Sequence, residues 1–372
     1  MSKKTKNNKN NHVYKSDTGF DLKSNLEKLR SGKSSYPIET ELYNDLLRSQ
    51  EELKLGSSAV IEEDKTMETT ATSPKQSIEN TNGFVYIKDC ISDQNKEFDQ
   101  KLKDKLESYC SKGNISTLIY SNPNNPSWIC FTEQELQIIG ELANKYDVVV
   151  MEDLAYFAMD FRKDMSKPGI PPYQSSVANY TKNYILLISS SKSFSYAGQR
   201  VGMLVISNEL FDRKFPDLKR FFKTDGFGYS MIYGAVYSLS SGTSHSAQYG
   251  LAAMLKAAND GDFNFVEGVR EYGERAKIMK KLFADNGFKI VYDMDEDQPL
   301  ADGFYFTFSY PGFDGVDLLE KLLYYGISAI SLITTGSERI EGLRACVSQI
   351  QRAQLPILEE RLRIFNQHHK QS

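Results

Sequence analysis

Between residues 84 and 207 short apolar runs alternate with amphipathic segments, and few folds accept that alternation. The runs are FVYIKDC (84–90), ISTLIYS (115–121), DVVVM (147–151), YILLIS (184–189) and VGMLVIS (201–207). Each is short and rich in strand formers. Between the first two, Phe98, Leu102, Leu106 and Tyr109 fall on one helical face. Thr132 and Glu135 form a T-x-x-E capping box ahead of Leu136, Ile139 and Leu142. Continuous apolar strands separated by helices predict an α/β fold, a mostly parallel sheet sandwiched by helices. Beyond about residue 260 the order changes to a charged helix (267–284), FKIVYD, GFYFTFSY, a helix at 315–325, ISAISL and a final helix near 353–367. That order predicts a smaller C-terminal α+β domain. The expected division is a large domain over 84–260 and a small one over 261–372. Residues 1–83 fit neither: 21 of the first 82 are hydrophobic, too few for a packed core. Within them, 56–83 reads as a flexible linker, and Leu42, Leu46, Leu47 and Leu53 suggest one helix over 39–55.

Charge and residue usage narrow the chemistry. The 372 residues carry 45 Lys plus Arg against 49 Asp plus Glu, a net charge of −4, which argues against a nucleic-acid partner. No run of 18 apolar residues predicts a membrane span, and the Lys/Asn-rich start has no apolar signal-peptide region. The four cysteines are scattered without a C-x-x-C pair, so a reducing cytoplasmic setting fits and neither a disulfide framework nor a metal site is expected. Of four histidines only His245 is internal. A Ser-His-Asp hydrolase or His-ligated metal centre therefore lacks material, and acid–base work falls to Lys, Asp or Tyr.

In sheets of this kind, ligands bind outside the carboxyl ends of the strands. Ser121-Asn122-Pro123-Asn124-Asn125-Pro126 follows one predicted strand, and Glu152-Asp153-Leu154-Ala155-Tyr156 the next. Ser190, Ser191 and Lys192 follow a third, with Arg200 eight residues beyond the lysine. A lysine, a carboxylate, an amide, a phenol and an arginine are thereby expected at one edge. Those types suit pyridoxal phosphate: an amine for its aldehyde, a carboxylate for its ring nitrogen, and a cation and hydroxyls for its phosphate.

The motifs SNPNNP (121–126), MEDLAYF (151–157) and SSSKSFSYAGQR (189–200) resemble, in order and spacing, those of the fold-type I, class I/II aminotransferases. The resemblance covers roughly residues 84–368. It implies pyridoxal 5′-phosphate as cofactor, with Lys192 bonded to it and serving as catalytic base. Asp153 would pair with the ring nitrogen, and Asn125 and Tyr156 would bond the ring oxygen. Ser189 and Arg200, with Ser191 less directly, would hold the phosphate. Arg344 in EGLRACVS would bind the substrate α-carboxylate, a task suited to a bidentate guanidinium. The implied activity is amino transfer from an amino acid to a 2-oxo acid by a ping-pong path, in a homodimer. Two alternatives remain. One is a lyase or amino-acid β-decarboxylase on the same fold. The other is a non-catalytic or truncated relative, because residues 1–83 contain neither the family's phosphate-cradling loop nor its ring-stacking aromatic.

Overall fold

The computed structural model describes residues 84–86, 98–165, 167–295, 298–300, 302–337 and 339–370. The expected helix over 39–55 and the expected linker lie outside the described residues. The first sheet has five strands in sequential order: β1 (Phe84–Tyr86), β2 (Thr117–Ser121), β3 (Val149–Leu154), β4 (Tyr184–Ser189) and β5 (Gly202–Ile206). The first four are parallel. Right-handed crossovers between strands laid down in sequence place their helices on one face. Accordingly α1 (Phe98–Cys110) and α2 (Glu133–Tyr146) pack together there, and Leu102, Leu106, Leu136 and Ile139 close over Leu118 and Val150. β5 runs antiparallel to β4, Ser189 facing Gly202. The chain between them turns back through short helical turns at Ser190–Ser193 and Ala197–Gln199. The result is a mostly parallel sheet flanked by helices, with an antiparallel edge.

The start of α2 follows its sequence signature. Thr132 Oγ1 accepts from the Glu135 amide at 3.2 Å, and the Glu135 carboxylate accepts from the Thr132 amide at 2.6 Å. β3, in contrast, is longer than its apolar run: it continues through Glu152 and Asp153 to Leu154. Two carboxylates therefore stand in a strand of the sheet, and the register sets Ser121 and Leu187 beside Asp153.

The C-terminal region carries an antiparallel sheet in the order β8 (Ile330–Ser331), β9 (Leu343–Cys346), β7 (Tyr305–Ser309) and β6 (Lys289–Ile290). β9, which holds Arg344, is a strand that the sequence pattern did not indicate. Helices α5 (Phe265–Asp285), α6 (Gly315–Leu323) and α7 (Leu355–His369) enclose a core with these strands. Phe283, Phe308, Leu318, Leu362 and Phe365 are buried there. The remaining long helix, α4 (His245–Asp260), packs Ala247 and Leu251 into a further cluster with Phe194 and Phe265.

The capping box gives a stability test. Thr132→Ala removes the side-chain acceptor and is expected to cost about 1 kcal/mol, read as a lower urea midpoint with an unchanged slope. An unchanged midpoint would mean that α2 is held by packing alone.

Candidate active site

Period-two alternation sends Asp153 and Glu152 to opposite faces of β3. Asp153 shares its face with Val149 and Met151, all half-buried, and borders an open cavity of about 380 Å³. Ser189, Ser191 and Arg200 line the same cavity. The Asp153 Oδ1 accepts from the Ala155 amide at 3.0 Å, yet burial outweighs that bond and raises the carboxyl above its ordinary range. Ser189 caps the short helix α3 (Ser190–Ser193), its Oγ accepting from the Ser191 amide at 3.1 Å. Arg200 is exposed, takes the left-handed conformation at φ 51°, and donates from Nη1 to the Ala197 carbonyl at 2.9 Å.

A second group of expected residues meets across the two sheets. Arg344 donates from Nη1 to Asn125 Oδ1 at 2.7 Å, joining positions 219 apart in the chain. Its guanidinium lies 4.0 Å from the Tyr305 ring centroid, a cation–π contact between diagonal neighbours on β9 and β7. Its Nε is buried without a hydrogen-bond partner. Tyr156 is buried, with its ring centroid 5.6 Å from that of Tyr305 and 5.1 Å from that of Trp128. Burial raises the Tyr156 phenol well above its ordinary range, so it remains a neutral donor. Lys192 Nζ sits 4.9 Å over Phe304, which packs on both Tyr156 and Tyr305.

The expected residues thus fall into two sets. Asp153, Ser189, Ser191 and Arg200 border the cavity. Asn125, Tyr156, Lys192 and Arg344 meet an aromatic wall. Tyr156 links them, lying within electrostatic reach of both Asp153 and Arg344. The wall itself, Trp128, Phe304 and Tyr305, was not foreseen. Trp128 is the chain's single tryptophan and adjoins SNPNNP, which was the available signal. Nothing in the sequence ties Phe304 and Tyr305 to Tyr156. Trp128 lies flat against Gly303, where a Cβ would come within 1.9 Å of its ring.

An amine, a phenol and an amide, together with a cavity that presents one carboxylate, one guanidinium and two serines on an otherwise apolar lining, form a donor set that fits a phosphorylated pyridine aldehyde. The cavity size falls in the range of roughly 300–1,000 Å³ usual for small-molecule sites. The unpartnered Arg344 Nε also fits, since a buried donor without an acceptor is unfavourable by about 1–3 kcal/mol until a ligand supplies one.

Comparison with known proteins gives a consistent result. The family model for aminotransferase class I and II matches residues 75–358. A probable aspartate aminotransferase of Methanocaldococcus jannaschii is 26% identical over 262 residues, covering 69% of this chain and 60% of that protein. An LL-diaminopimelate aminotransferase of Chlamydia pneumoniae is 32% identical over 122 residues, 32% of this chain and 30% of that protein. The crystal structure of an aromatic aminotransferase from Pyrococcus horikoshii OT3 shares the fold, with a TM-score of 0.55 at 19% identity. That likeness covers 72% of this chain and 63% of the solved one. In each case the match spans less than two thirds of the relative's own length.

Raised by burial, the Asp153 carboxyl should weaken the cofactor-free fold as it ionises. Below about pH 4, the ordinary Asp value, it is neutral in both folded and unfolded chains and contributes no penalty. The penalty grows as pH rises toward the elevated native value and then levels off. Asp153→Asn keeps the acceptor for Ala155 and should therefore raise the melting temperature at pH 7 to 8, with the gain vanishing at acid pH. A gain independent of pH, or a loss, would show that the carboxylate is not desolvated.

Proposed function

The chain belongs to the class I and II aminotransferases, and from that premise we propose that it transfers the amino group of an amino acid to a 2-oxo acid with pyridoxal 5′-phosphate bound beside Lys192. The observation that carries the reading is the Asn125–Arg344 hydrogen bond. It brings a strand-end loop of the first sheet and a strand of the second together over Tyr305. The cofactor supplies an aldehyde carbon that accepts an amine and a ring that withdraws electrons from the substrate Cα. Every other task falls to this chain's side chains.

Asp153, whose carboxyl is held above its usual range by burial, would pair as an anion with the cofactor's protonated ring nitrogen and keep that proton in place. Tyr156 donates from a phenol too buried to ionise, and Asn125 orients Arg344 through its Oδ1. Arg344 offers its free Nε–H to a carboxylate while the Tyr305 ring steadies its plane. Ser189, Ser191 and Arg200 offer hydroxyls and a cation to a phosphate. Lys192 would take the proton from the substrate Cα, hold it on Nζ and deliver it to the carbon that was the cofactor's aldehyde. Its amine rests against a ring rather than a carboxylate, so no ion pair holds it back from that role among the described residues. Phe304 and the neighbouring aromatics exclude water from this side of the site.

We place the protein in the cytoplasm as a homodimer. Cys110, Cys130 and Cys346 are free thiols, as in a reducing compartment. Val236 lines the cavity, and Tyr229, Tyr233, Tyr237, Leu239 (89% exposed) and Tyr249 (78% exposed) are exposed large apolar side chains. A monomer rarely leaves so many large apolar side chains uncovered. No helix among the described residues is long and apolar enough to cross a membrane.

The test has two parts. Borohydride reduction of the loaded protein should fix the cofactor to Lys192, and Lys192→Ala should lose that label while still folding. With 2-oxoglutarate and a panel of amino acids, the wild type should form glutamate and Lys192→Ala should not. Carbon dioxide or pyruvate released without glutamate would transfer the site to a decarboxylase or lyase. A protein that stays colourless with the cofactor would remove the reading altogether.

A further inference from the structure

The geometry points to Glu152 as a positioning residue that fixes the loop carrying Asn125 and Trp128. Glu152 is fully buried on the face of β3 opposite Asp153, a poor place for a carboxylate unless donors surround it. They do. Its Oε2 accepts from Ser176 Oγ at 2.6 Å and from the Val177 amide at 3.1 Å, and its Oε1 accepts from Asn122 Nδ2 at 3.2 Å. The last bond matters for the site, because Asn122 holds both ends of the loop. Its amide donates to the Asp153 carbonyl at 2.9 Å where the loop begins, and its Oδ1 accepts from the Phe131 amide at 3.2 Å where the loop ends. Its own carbonyl accepts from Gln174 Nε2 at 2.9 Å, and Gln174 Oε1 accepts from the Ala158 amide at 2.6 Å, two residues past Tyr156. A single buried carboxylate thereby orients the amide on which the placement of Asn125, Trp128 and, through Asn125, Arg344 depends.

The hydrogen bonding at Asn122 is directional. Asn122 can offer its oxygen to Phe131 only if its NH₂ meets an acceptor at residue 152. In Glu152→Gln the orientation that keeps an oxygen for Ser176 and Val177 turns the new NH₂ toward that of Asn122, and the reverse orientation sets it against the Val177 amide. Flipping Asn122 cures this clash and creates another against the Phe131 amide. Moving the charge cures both: in Glu152→Gln combined with Asn122→Asp, the new carboxylate accepts from residue 152 on one oxygen and from Phe131 on the other. Net charge is unchanged.

Trp128 is the only tryptophan and is 1% exposed, so its emission reports the loop directly. In the cofactor-free chain, Glu152→Gln should red-shift that emission and raise its acrylamide quenching several-fold, and the double variant should restore both. Ser176→Ala removes a donor on the far oxygen only. It should lower the melting temperature and leave the quenching of Trp128 at the wild-type level, which separates positioning from general destabilisation. Wild-type quenching in Glu152→Gln, or a double variant no better than the single one, overturns the assignment. If Glu152→Gln does not fold, recovery of a folded chain with native quenching in the double variant supports it, and failure of both overturns it. The link from the loop to the cofactor rests on the function proposed above. It is read separately, as a several-fold weaker pyridoxal phosphate affinity in Glu152→Gln that the double variant recovers. Quenching restored in a chain that never binds the cofactor would sink that function and leave the positioning role intact.

Discussion

Neighbouring side chains of a strand must point to opposite faces, and at Glu152 and Asp153 this chain puts a carboxylate on each. The arrangement is tolerable only because the two faces differ. One is closed by α1 and α2, so Glu152 must be met by donors, and Asn122, Ser176 and Val177 provide them. The other borders the cavity, so Asp153 keeps a side open to a ligand while its inner oxygen takes the Ala155 amide. Burial raises both carboxyls, but with different consequences. The donors around Glu152 oppose the rise and make that side chain a fixed point of the framework. Asp153 has one donor and an unmet demand for positive charge. A one-residue slip of β3 would exchange the two and leave an unsupported acid in the core.

The second dependency runs between the sheets. Arg344 stands on β9 because Tyr305 and Thr307 of β7 share its face, while Leu343 and Ala345 turn inward to the aromatic core. That core fixes the β9–β7 register, the register stacks the guanidinium on Tyr305, and the stacked guanidinium reaches Asn125. Packing around Phe283, Phe308 and Phe365 lies within the C-terminal core. It nevertheless decides where the Arg344 guanidinium stands.

Elements that depend on local pattern were legible in the sequence. The 184–189 strand, the Thr132 cap and the alternation of strands and helices follow from hydrophobic period and capping chemistry, which act over a few residues. The strand-end rule likewise brought Asp153, Ser189, Ser191 and Arg200 to one cavity. What stayed hidden depends on distant partners. β3 runs on through two acids because of donors at 122, 176 and 177, which no local propensity encodes. β9 is short and interrupted by an arginine, so its strand character comes from pairing with β7 on one side and β8 on the other. The aromatic wall joins Trp128, Tyr156 and Tyr305, and a single sequence gives no sign that these three meet.

The same contrast between local and distant control explains where the backbone departs from its easy conformations. Non-glycine residues with positive φ are uncommon and cost free energy unless their surroundings hold them. Four of them flank this site: Trp128 at 66°, Ala158 at 64°, Ser195 at 50° and Arg200 at 51°. Trp128 is held by Tyr156, Tyr305 and the bare Cα of Gly303, and Ala158 by the bond from its amide to Gln174. The constraints on Trp128 and Ala158 lead back to the second sheet and to Asn122, whereas Arg200 and Ser195 are held locally by the Ala197 and Lys192 carbonyls. The turns at Trp128 and Ala158 are therefore held only in the assembled fold, which is the condition for a site whose parts lie more than 200 positions apart in sequence.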